Sequence, residues 1–339
     1  MHDRDVNPQI QHGPWIDVHA HPGACFVHGL AAEDPMRRLF AAGERDERAL
    51  LRAGEVTVSA YASVADAPVI GLRDNGIATV RDFEPGEALA TNTAQVEAIR
   101  DLAHAASLDL VLHPDDIERL HSSSARGMWL TCEGGDFVER DTSRVAAAHA
   151  RGVRSITLVH YRVNDLGDIQ TEEPRYHGLT GAGREVIAEM NRLGMVIDLA
   201  HATMATTVAA AEASRAPIMV SHSHLASAGA DHPRLLSPDH ACTVAATGGV
   251  IGAWPSGIVA ASLADFADEI ARLVDLIGIE HVALGTDLDA NYRPVLTEHS
   301  QLPALAALLR ARGFGAGDVD AVLGGNFLRM WRAVVAVAN

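Results

Sequence analysis

Residues 195–222, MVIDLAHATMATTVAAAEASRAPIMVSH, contain the pattern that decides the fold. Two short apolar runs, 195–199 and 217–220, predict buried strands, and the alanine-rich segment 205–213 between them predicts a helix. Two strands joined through a helix are expected to be parallel, because a parallel crossover needs about a dozen residues or more. Each run is followed by a histidine, His201 or His222. This stretch therefore predicts a βαβ unit with an imidazole after each strand.

The same alternation continues in both directions along the chain. Further strands are predicted at 15–21, where the strand ends in two histidines, and at 56–60, 77–81, 108–112, 127–132, 153–159, 250–253 and 282–284. Helices are predicted at 34–53, 94–106, 115–121, 144–151, 181–193, 238–246 and 264–277, with two or three more between 302 and 337. Strand–helix alternation of this kind is typical of a mostly parallel sheet covered on both faces.

About eight such units predict an α/β fold, a (β/α)₈ TIM-type barrel. We expect residues 1–339 to form one barrel domain that ends in helices. A doubly wound sheet is the alternative, but the chain has neither of the glycine-rich phosphate-binding motifs that would favour it.

Composition excludes several classes of partner. The formal net charge is −17, whereas nucleic acids and anionic membranes require a basic face, so we expect neither as a partner. No apolar run has the length of a signal peptide or a membrane span. The three cysteines, Cys25, Cys132 and Cys242, are far apart and predict no disulfide framework. The chain is expected to be a soluble cytoplasmic protein.

Residues of the types that bind metal ions follow the apolar runs. In the segment WIDVHAH (15–21), His19 and His21 share one face of a predicted strand, because side chains alternate along a strand. Similar positions after later strands are occupied by Glu133, His160, His201, His222 and Asp287. Such residues meet at the carboxyl-terminal rim of a barrel, where four histidines and a bridging carboxylate would suit two metal ions.

Three other polar residues near these strand ends have different predicted roles. We expect Asp289 to be structural and His224 to be a solvated loop residue. Asp198 is predicted either to orient His201 or to accept hydrogen bonds from backbone N–H groups.

Several segments together resemble the membrane (renal) dipeptidase family, metallopeptidases of the amidohydrolase superfamily. The resemblance lies mainly after residue 132 and is poor between His21 and Met128. The matching segments are TCEGG (131–135), GVRSITLVH (152–160), NDLGD (164–168), GLT (178–180), REV (184–186), EMNRLGM (189–195), SHS (221–223), HPR (232–234), GGVIG (248–252) and LGGNFLR (323–329).

The resemblance implies a dipeptidase with two Zn²⁺, or other divalent ions, that cleaves an amide bond with a metal-bridging hydroxide. It implies that His19 and His21 bind one ion, that His201 and His222 bind the other, and that Glu133 bridges them. It also implies a homodimer and a small dipeptide substrate, optionally with a D-residue at its C-terminal position.

The resemblance implies three further roles. His160 would contact the substrate and its oxyanion, Arg234 would bind the terminal carboxylate, and Asp287 would carry the proton.

Three positions depart from the family pattern: His21 replaces an aspartate, Ala290 replaces a glycine, and Arg234 lies one residue later than expected.

Other activities are compatible with the same residues. A related hydrolase could act on an N-acyl amino acid, a lactone or a phosphoester, or could deaminate its substrate. A non-hydrolytic tailoring or binding protein on the same barrel is the alternative from another class, although such a protein would be expected to have lost metal ligands.

Overall fold

A computed structural model describes residues 12–41, 56–73, 76–227 and 232–338. Its strands are β1 Ile16–Asp17, β2 Val58–Val64, β3 Ile70–Arg73, β4 Gly76–Thr79, β5 Asp109–Leu110, β6 Gly127–Glu133, β7 Ser155–Thr157, β8 Val196–Asp198, β9 Ile218–Ser223, β10 Val250–Ala253 and β11 Val282–Leu284. Its α-helices are α1 Pro35–Ala41, α2 Glu87–Ala105, α3 Pro114–Ser122, α4 Ser143–Ala150, α5 Gly181–Leu193, α6 Met204–Ala213, α7 Pro238–Ala246, α8 Leu263–Ile277, α9 Leu302–Ala311, α10 Ala316–Asp320 and α11 Asn326–Ala336.

Eight of the described strands form a parallel ring in the order β1-β2-β6-β7-β8-β9-β10-β11. Backbone hydrogen bonds join its first and last strands: Val18 N donates to Leu284 O at 2.9 Å, and Asp287 N donates to His19 O at 2.8 Å. The predicted (β/α)₈ TIM-type barrel is therefore confirmed, and the doubly wound alternative is wrong.

Two of the predicted strands lie outside this ring. The segment predicted at 77–81 forms β4, which pairs antiparallel with β3 in a separate hairpin. The segment predicted at 108–112 is reduced to β5, which pairs with the start of β6. Both segments are apolar enough to resemble barrel strands, and only tertiary pairing separates them. Of the helix predicted at 34–53, the structure shows α1, and residues 42–55 lie outside the described part.

The helices after the later strands begin at side-chain caps. Thr180, Thr203, Ser237 and Ser262 each accept a hydrogen bond from a backbone N–H in the first turn of α5, α6, α7 and α8 respectively. In α8 the buried residues Phe266, Ile270 and Leu273 recur at helical spacing, so one face packs on the barrel. None of the helices in the described ranges combines the length and apolarity that crossing a bilayer requires.

A buried carboxylate fastens the seam between β1 and β11. Asp17 accepts hydrogen bonds from the Thr286 backbone N–H at 3.0 Å and from its hydroxyl at 2.5 Å. Nε2 of His299 lies 2.7 Å from Oδ2 of the same carboxylate. Because Asp17 is fully buried, these contacts satisfy a charge that would otherwise be costly, and they fix the strand ends that carry His19 and Asp287.

Candidate metal centre

The polar side chains predicted at the strand ends converge at one end of the barrel. Five of them form a buried group that we call the His–Glu cluster: His19, His21, Glu133, His201 and His222. His19 and His21 follow β1, Glu133 ends β6, His201 follows β8, and His222 lies near the end of β9. The parallel direction of the strands explains the convergence of residues more than 200 positions apart in sequence.

Glu133 lies between two pairs of histidines. Its Oε1 is 3.3 Å from His19 Nε2 and 3.1 Å from His201 Nε2, and its Oε2 is 3.2 Å from His21 Nε2. His222 Nε2 is 3.7 Å from Oε1. The cluster therefore contains two overlapping sets of possible metal ligands, His19–His21–Glu133 and Glu133–His201–His222, with the carboxylate common to both.

The chemistry of the cluster fits divalent cations. The Nε2 atoms of His19 and His21 are buried and make no well-aligned hydrogen bond within the described residues. The Nε2 atoms of His201 and His222 face each other at 3.1 Å. Buried polar atoms normally have a partner, and imidazole nitrogens around a shared carboxylate form a donor set that suits zinc.

Electrostatics within the cluster support the same fit. Burial lowers the pKa of His201 and of His222 well below the usual value, so both imidazoles are neutral and free to bind a cation. Burial also lowers the pKa of His19, but the Glu133 carboxylate outweighs it and raises that pKa to about 9. This side of the cluster therefore attracts positive charge.

The backbone is strained at two of the converging residues. His201 and Asp287 have φ angles of 66° and 54°, in the left-handed region that residues other than glycine seldom adopt. Such conformations persist where the surrounding structure over-determines them, and they are concentrated at functional sites.

His160 lies beside the cluster, and a contact with Asp66 fixes its ring. Its Nδ1 is 2.6 Å from Oδ1 of Asp66, and its Nε2 is 3.5 Å from Oε2 of Glu133. Asp66 also accepts a hydrogen bond from the Tyr161 backbone N–H at 3.0 Å. Burial lowers the pKa of His160, but the charges of Asp66 and Glu133 prevail and raise it. The imidazole therefore gains a proton easily, and its Nε2 points towards the cluster.

Asp287 lies beside His19 and His21. Its Oδ1 is 3.5 Å from His21 Nε2 and 3.8 Å from His19 Nε2, and its Oδ2 accepts a hydrogen bond from the indole N–H of Trp254 at 3.3 Å. Burial raises the pKa of this carboxyl, although the nearby histidines oppose the shift. A carboxyl in this position can exchange a proton with a molecule at the cluster.

Arg234 places a buried guanidinium at the same cavity. Nη1 donates to Oε1 of Gln170 at 2.7 Å, and the guanidinium lies 5.5 Å from the centre of the Trp254 ring. Its Nε and Nη2 are buried without a hydrogen-bond partner among the described residues. A buried cation with unused donors is typical of a site for an anionic ligand.

The other predicted residues lie outside the cluster. Asp198 accepts hydrogen bonds from backbone N–H groups of Ala200 and Ser221, and Asp289 accepts one from Gly23. Both side chains therefore fix the backbone around the site. The expectation that His224 is solvated is wrong: it is fully buried, and its Nδ1 lies 3.8 Å from Glu269 on α8.

Sequence reasoning did not identify Asp66 or Trp254. Asp66 follows β2 by two residues, but the predicted strand ended at residue 60, so the carboxylate was not recognised as a strand-end residue. Trp254 directly follows β10, but an indole is not a metal ligand and was not sought there. Polar-tipped side chains of every kind after the predicted strands would include Trp254, whereas Asp66 becomes a strand-end residue only when β2 extends to Val64.

Comparison with known proteins places the chain among metallopeptidases. It is 38% identical over 229 residues to "Dipeptidase aclJ" of Aspergillus oryzae, which covers 65% of this chain and 54% of the relative. It is 31% identical over 265 residues to "Dipeptidase 3" of Rattus norvegicus, covering 74% and 53% respectively. The aligned part thus spans about half the length of these two relatives.

A solved structure shows the same fold. A metallopeptidase from Rhodobacter sphaeroides, described as liganded with a phosphinate mimic of the dipeptide L-Ala-D-Ala, superposes with a TM-score of 0.78. The match covers 96% of this chain and all of that chain at 20% identity. The family profile described as "Membrane dipeptidase (Peptidase family M19)" matches residues 41–339. The chain belongs to this membrane dipeptidase family, as the sequence resemblance predicted.

Proposed function

We propose that this chain hydrolyses the amide bond of small dipeptides with two divalent metal ions, zinc being the ion that the ligand types favour. The observation that carries the proposal is the position of Glu133, whose two carboxylate oxygens face both histidine pairs of the His–Glu cluster. The names of the curated relatives, which are dipeptidases, support the same activity.

In this proposal His19 and His21 bind one ion, His201 and His222 bind the other, and Glu133 is shared between them. When bound, the two ions would supply Lewis acidity for the substrate carbonyl and lower the pKa of a water molecule towards neutrality. His21 contributes a neutral ligand, and its ring is fixed because Nδ1 lies 3.1 Å from the carbonyl oxygen of Ala62.

His160 would stabilise the negative oxygen that forms when the carbonyl is attacked. The Asp66 carboxylate accepts a hydrogen bond from Nδ1–H and favours the doubly protonated ring, so that Nε2 also carries a proton to donate. A pre-oriented donor of this kind contributes roughly 3–4 kcal/mol to transition-state stability.

Asp287 would transfer the proton that hydrolysis requires. As a base it takes the proton from the attacking water, and as an acid it gives the proton to the amine when the C–N bond breaks. Its raised pKa favours the second step, because a carboxyl that holds its proton at higher pH can return it near neutrality.

Arg234 would bind the terminal carboxylate of the dipeptide. The guanidinium has two unused donor atoms and a planar geometry that matches a carboxylate. The dipeptide mimic described for the Rhodobacter sphaeroides protein corresponds to a substrate with a D-residue at this end, and this supports including L-Ala-D-Ala among the candidate substrates.

The test combines metal analysis with turnover. We expect purified protein supplied with Zn²⁺ to retain about two equivalents by mass spectrometry and to hydrolyse L-Ala-L-Ala or L-Ala-D-Ala. Glu133→Gln should lose metal and activity together. Glu97→Gln, which alters an exposed glutamate on α2, should change neither.

Two results would overturn the proposal. One is a protein that retains two ions but cleaves no dipeptide, while hydrolysing a lactone or phosphoester. The other is a Glu133→Gln variant that keeps its full metal content and its full activity.

A further inference from the structure

A wide cleft opens outward from the His–Glu cluster. A narrow inner cavity of about 50 Å³ is lined by Glu133, His201 and His222. The outer cleft has a volume of about 880 Å³ and shares Arg234 and Asp287 with the inner cavity. A molecule bound at the cluster therefore has a continuous path into the larger space.

One wall of this outer cleft is apolar. Leu39 and Phe40 of α1 and Leu72 and Ile77 of the β3–β4 hairpin line it. Leu72 and Ile77 lie directly opposite each other in the hairpin register, so their side chains project from the same face. Phe40 and Ile77 also line the inner cavity, which makes the apolar wall continuous from one space to the other.

Two aromatic side chains also line the cleft. Trp254, which donates to Asp287, lies at the inner end, and Tyr292 lies near the mouth with 56% of its surface exposed. The guanidinium of Arg293 lies 5.2 Å from the centre of the Tyr292 ring. A ligand side chain that enters the cleft would therefore meet apolar and aromatic carbon.

The exposure of these residues is unusual for the molecule. Seven large hydrophobic side chains are exposed in the part of the chain that the structure describes, and Leu39, Leu72 and Tyr292 are three of them. Exposed apolar groups that cluster in one concave place are typical of a binding surface, whereas scattered ones are not. Ligand pockets of 300–1,000 Å³ with this kind of lining accommodate molecules larger than a pair of small residues.

The hairpin is fixed relative to the proposed reaction site. The hydroxyl of Thr79 in β4 donates to the carbonyl oxygen of Tyr161 at 3.3 Å and to Oε1 of Glu172 at 3.2 Å. Tyr161 is the neighbour of His160 in sequence. The apolar wall therefore has a defined position next to the cluster rather than belonging to a separate surface.

From these observations we propose that the preferred substrates carry a large apolar or aromatic side chain, which enters the outer cleft and contacts Leu72, Ile77 and Tyr292. This inference rests on the proposed function, since it assigns the substrate class to the same site. With the amide at the cluster and the terminal carboxylate at Arg234, the side chains are the parts of the dipeptide that remain to fill the rest of the outer cleft.

The experiment compares kcat/KM for Ala-Ala, Phe-Ala and Ala-Phe with the zinc-loaded protein. Burial of a phenyl group predicts a kcat/KM on the order of 10- to 100-fold higher for at least one of the two phenylalanine substrates. Leu72→Ser should reduce this ratio several-fold. Leu276→Ser removes another exposed leucine side chain, on α8 and outside the lining of the cleft, and should leave the ratio unchanged.

The possible failures are distinguishable. Equal kcat/KM values for the three dipeptides, or an equal effect of the two leucine variants, would overturn this inference and leave the proposed function intact. If no dipeptide is cleaved, the proposed function fails. The inference is then tested separately, by measuring dipeptide binding to EDTA-treated protein by calorimetry. Tighter binding of Phe-Ala or Ala-Phe than of Ala-Ala would support the cleft, and equal affinities would overturn it.

Discussion

Asp66 and His160 form a buried hydrogen-bonded pair in which Oδ1 of the carboxylate lies 2.6 Å from Nδ1 of the imidazole. The two residues are 94 positions apart and follow β2 and β7, the strands on either side of β6 in the ring. The pair fixes the direction of Nε2, which points towards Glu133. Asp66 is thus a positioning residue for the group that we propose stabilises the oxyanion.

Replacing this carboxylate tests the pair directly. Asp66→Asn retains the shape of the side chain but removes the charge that favours a protonated His160. We expect kcat to fall roughly 10- to 100-fold, as for other residues that orient a functional side chain through a hydrogen bond. KM and metal content should stay close to wild type, because Asp66 contacts neither the proposed ligands nor Arg234. A rise in KM without a fall in kcat would contradict this role.

Asp287→Asn should abolish turnover and leave the metal content intact. An amide cannot accept and return a proton, and loss of general acid–base catalysis costs about 10²- to 10⁴-fold in rate. Steady-state kinetics and mass spectrometry on the same sample provide the check. Asp289→Asn is the matched control, since the Asp289 side chain accepts a backbone hydrogen bond from Gly23 and lies outside the His–Glu cluster. Normal turnover by Asp287→Asn would refute the assignment.

Trp254→Phe separates two functions of the indole ring. Phenylalanine retains an aromatic surface beside Arg234 but lacks the N–H that donates to Asp287. Hydrogen bonds to charged groups contribute about 1.5–3 kcal/mol, so kcat should fall by roughly one to two orders of magnitude. KM for a free dipeptide should change little. An unchanged kcat would show that Asp287 keeps its position without the indole.

Arg234→Ala should raise KM for dipeptides with a free carboxylate far more than for their C-terminal amides. Truncating one partner of a buried charged pair costs about 2–5 kcal/mol, which corresponds to a KM increase of at least about 30-fold. The amidated substrate is the control within the same protein, because it lacks the charge that the guanidinium binds. Equal increases for both substrates would remove Arg234 from this role.

The stability of the fold should fall between pH 7 and pH 5, partly through His240. Burial, with a smaller contribution from Arg234, lowers the pKa of His240 from 6.5 to about 4. In this pH range the unfolded chain binds a proton that the folded chain excludes, so the free energy of unfolding decreases as pH falls. For this one residue the decrease is about 2 kcal/mol.

Urea unfolding of wild type and His240→Gln at pH 7 and pH 5 measures this contribution. The variant should lose less stability than wild type between the two pH values, because glutamine does not titrate. It should also be less stable at pH 7, since the contact between His240 Nε2 and Thr207 Oγ1, 2.7 Å in the structure, is changed. Identical pH dependence in both proteins would exclude His240 as a source.

The barrel and most of its strand ends could be predicted because the relevant signals are local. Strands such as β8 and β10 are apolar runs, and the helices after them begin at threonine or serine caps that are visible in the sequence. The sequence pattern did not distinguish the β3–β4 hairpin from a barrel strand, because an apolar run does not show which strand it pairs with. The Asp66–His160 pair was not predicted for a related reason: a hydrogen bond between distant strand ends leaves no local pattern in the sequence.

Asp287 can join the His–Glu cluster only after the seam held by Asp17 has closed. Every member of the His–Glu cluster has been synthesised once the ribosome has passed His222, yet Asp287 follows more than 60 residues later. Until β11 docks against β1, a nascent chain can gather the imidazoles but lacks the group proposed to relay the proton. Catalytic competence is therefore a late event in biogenesis, and appearance of activity during translation would report that the ring has closed.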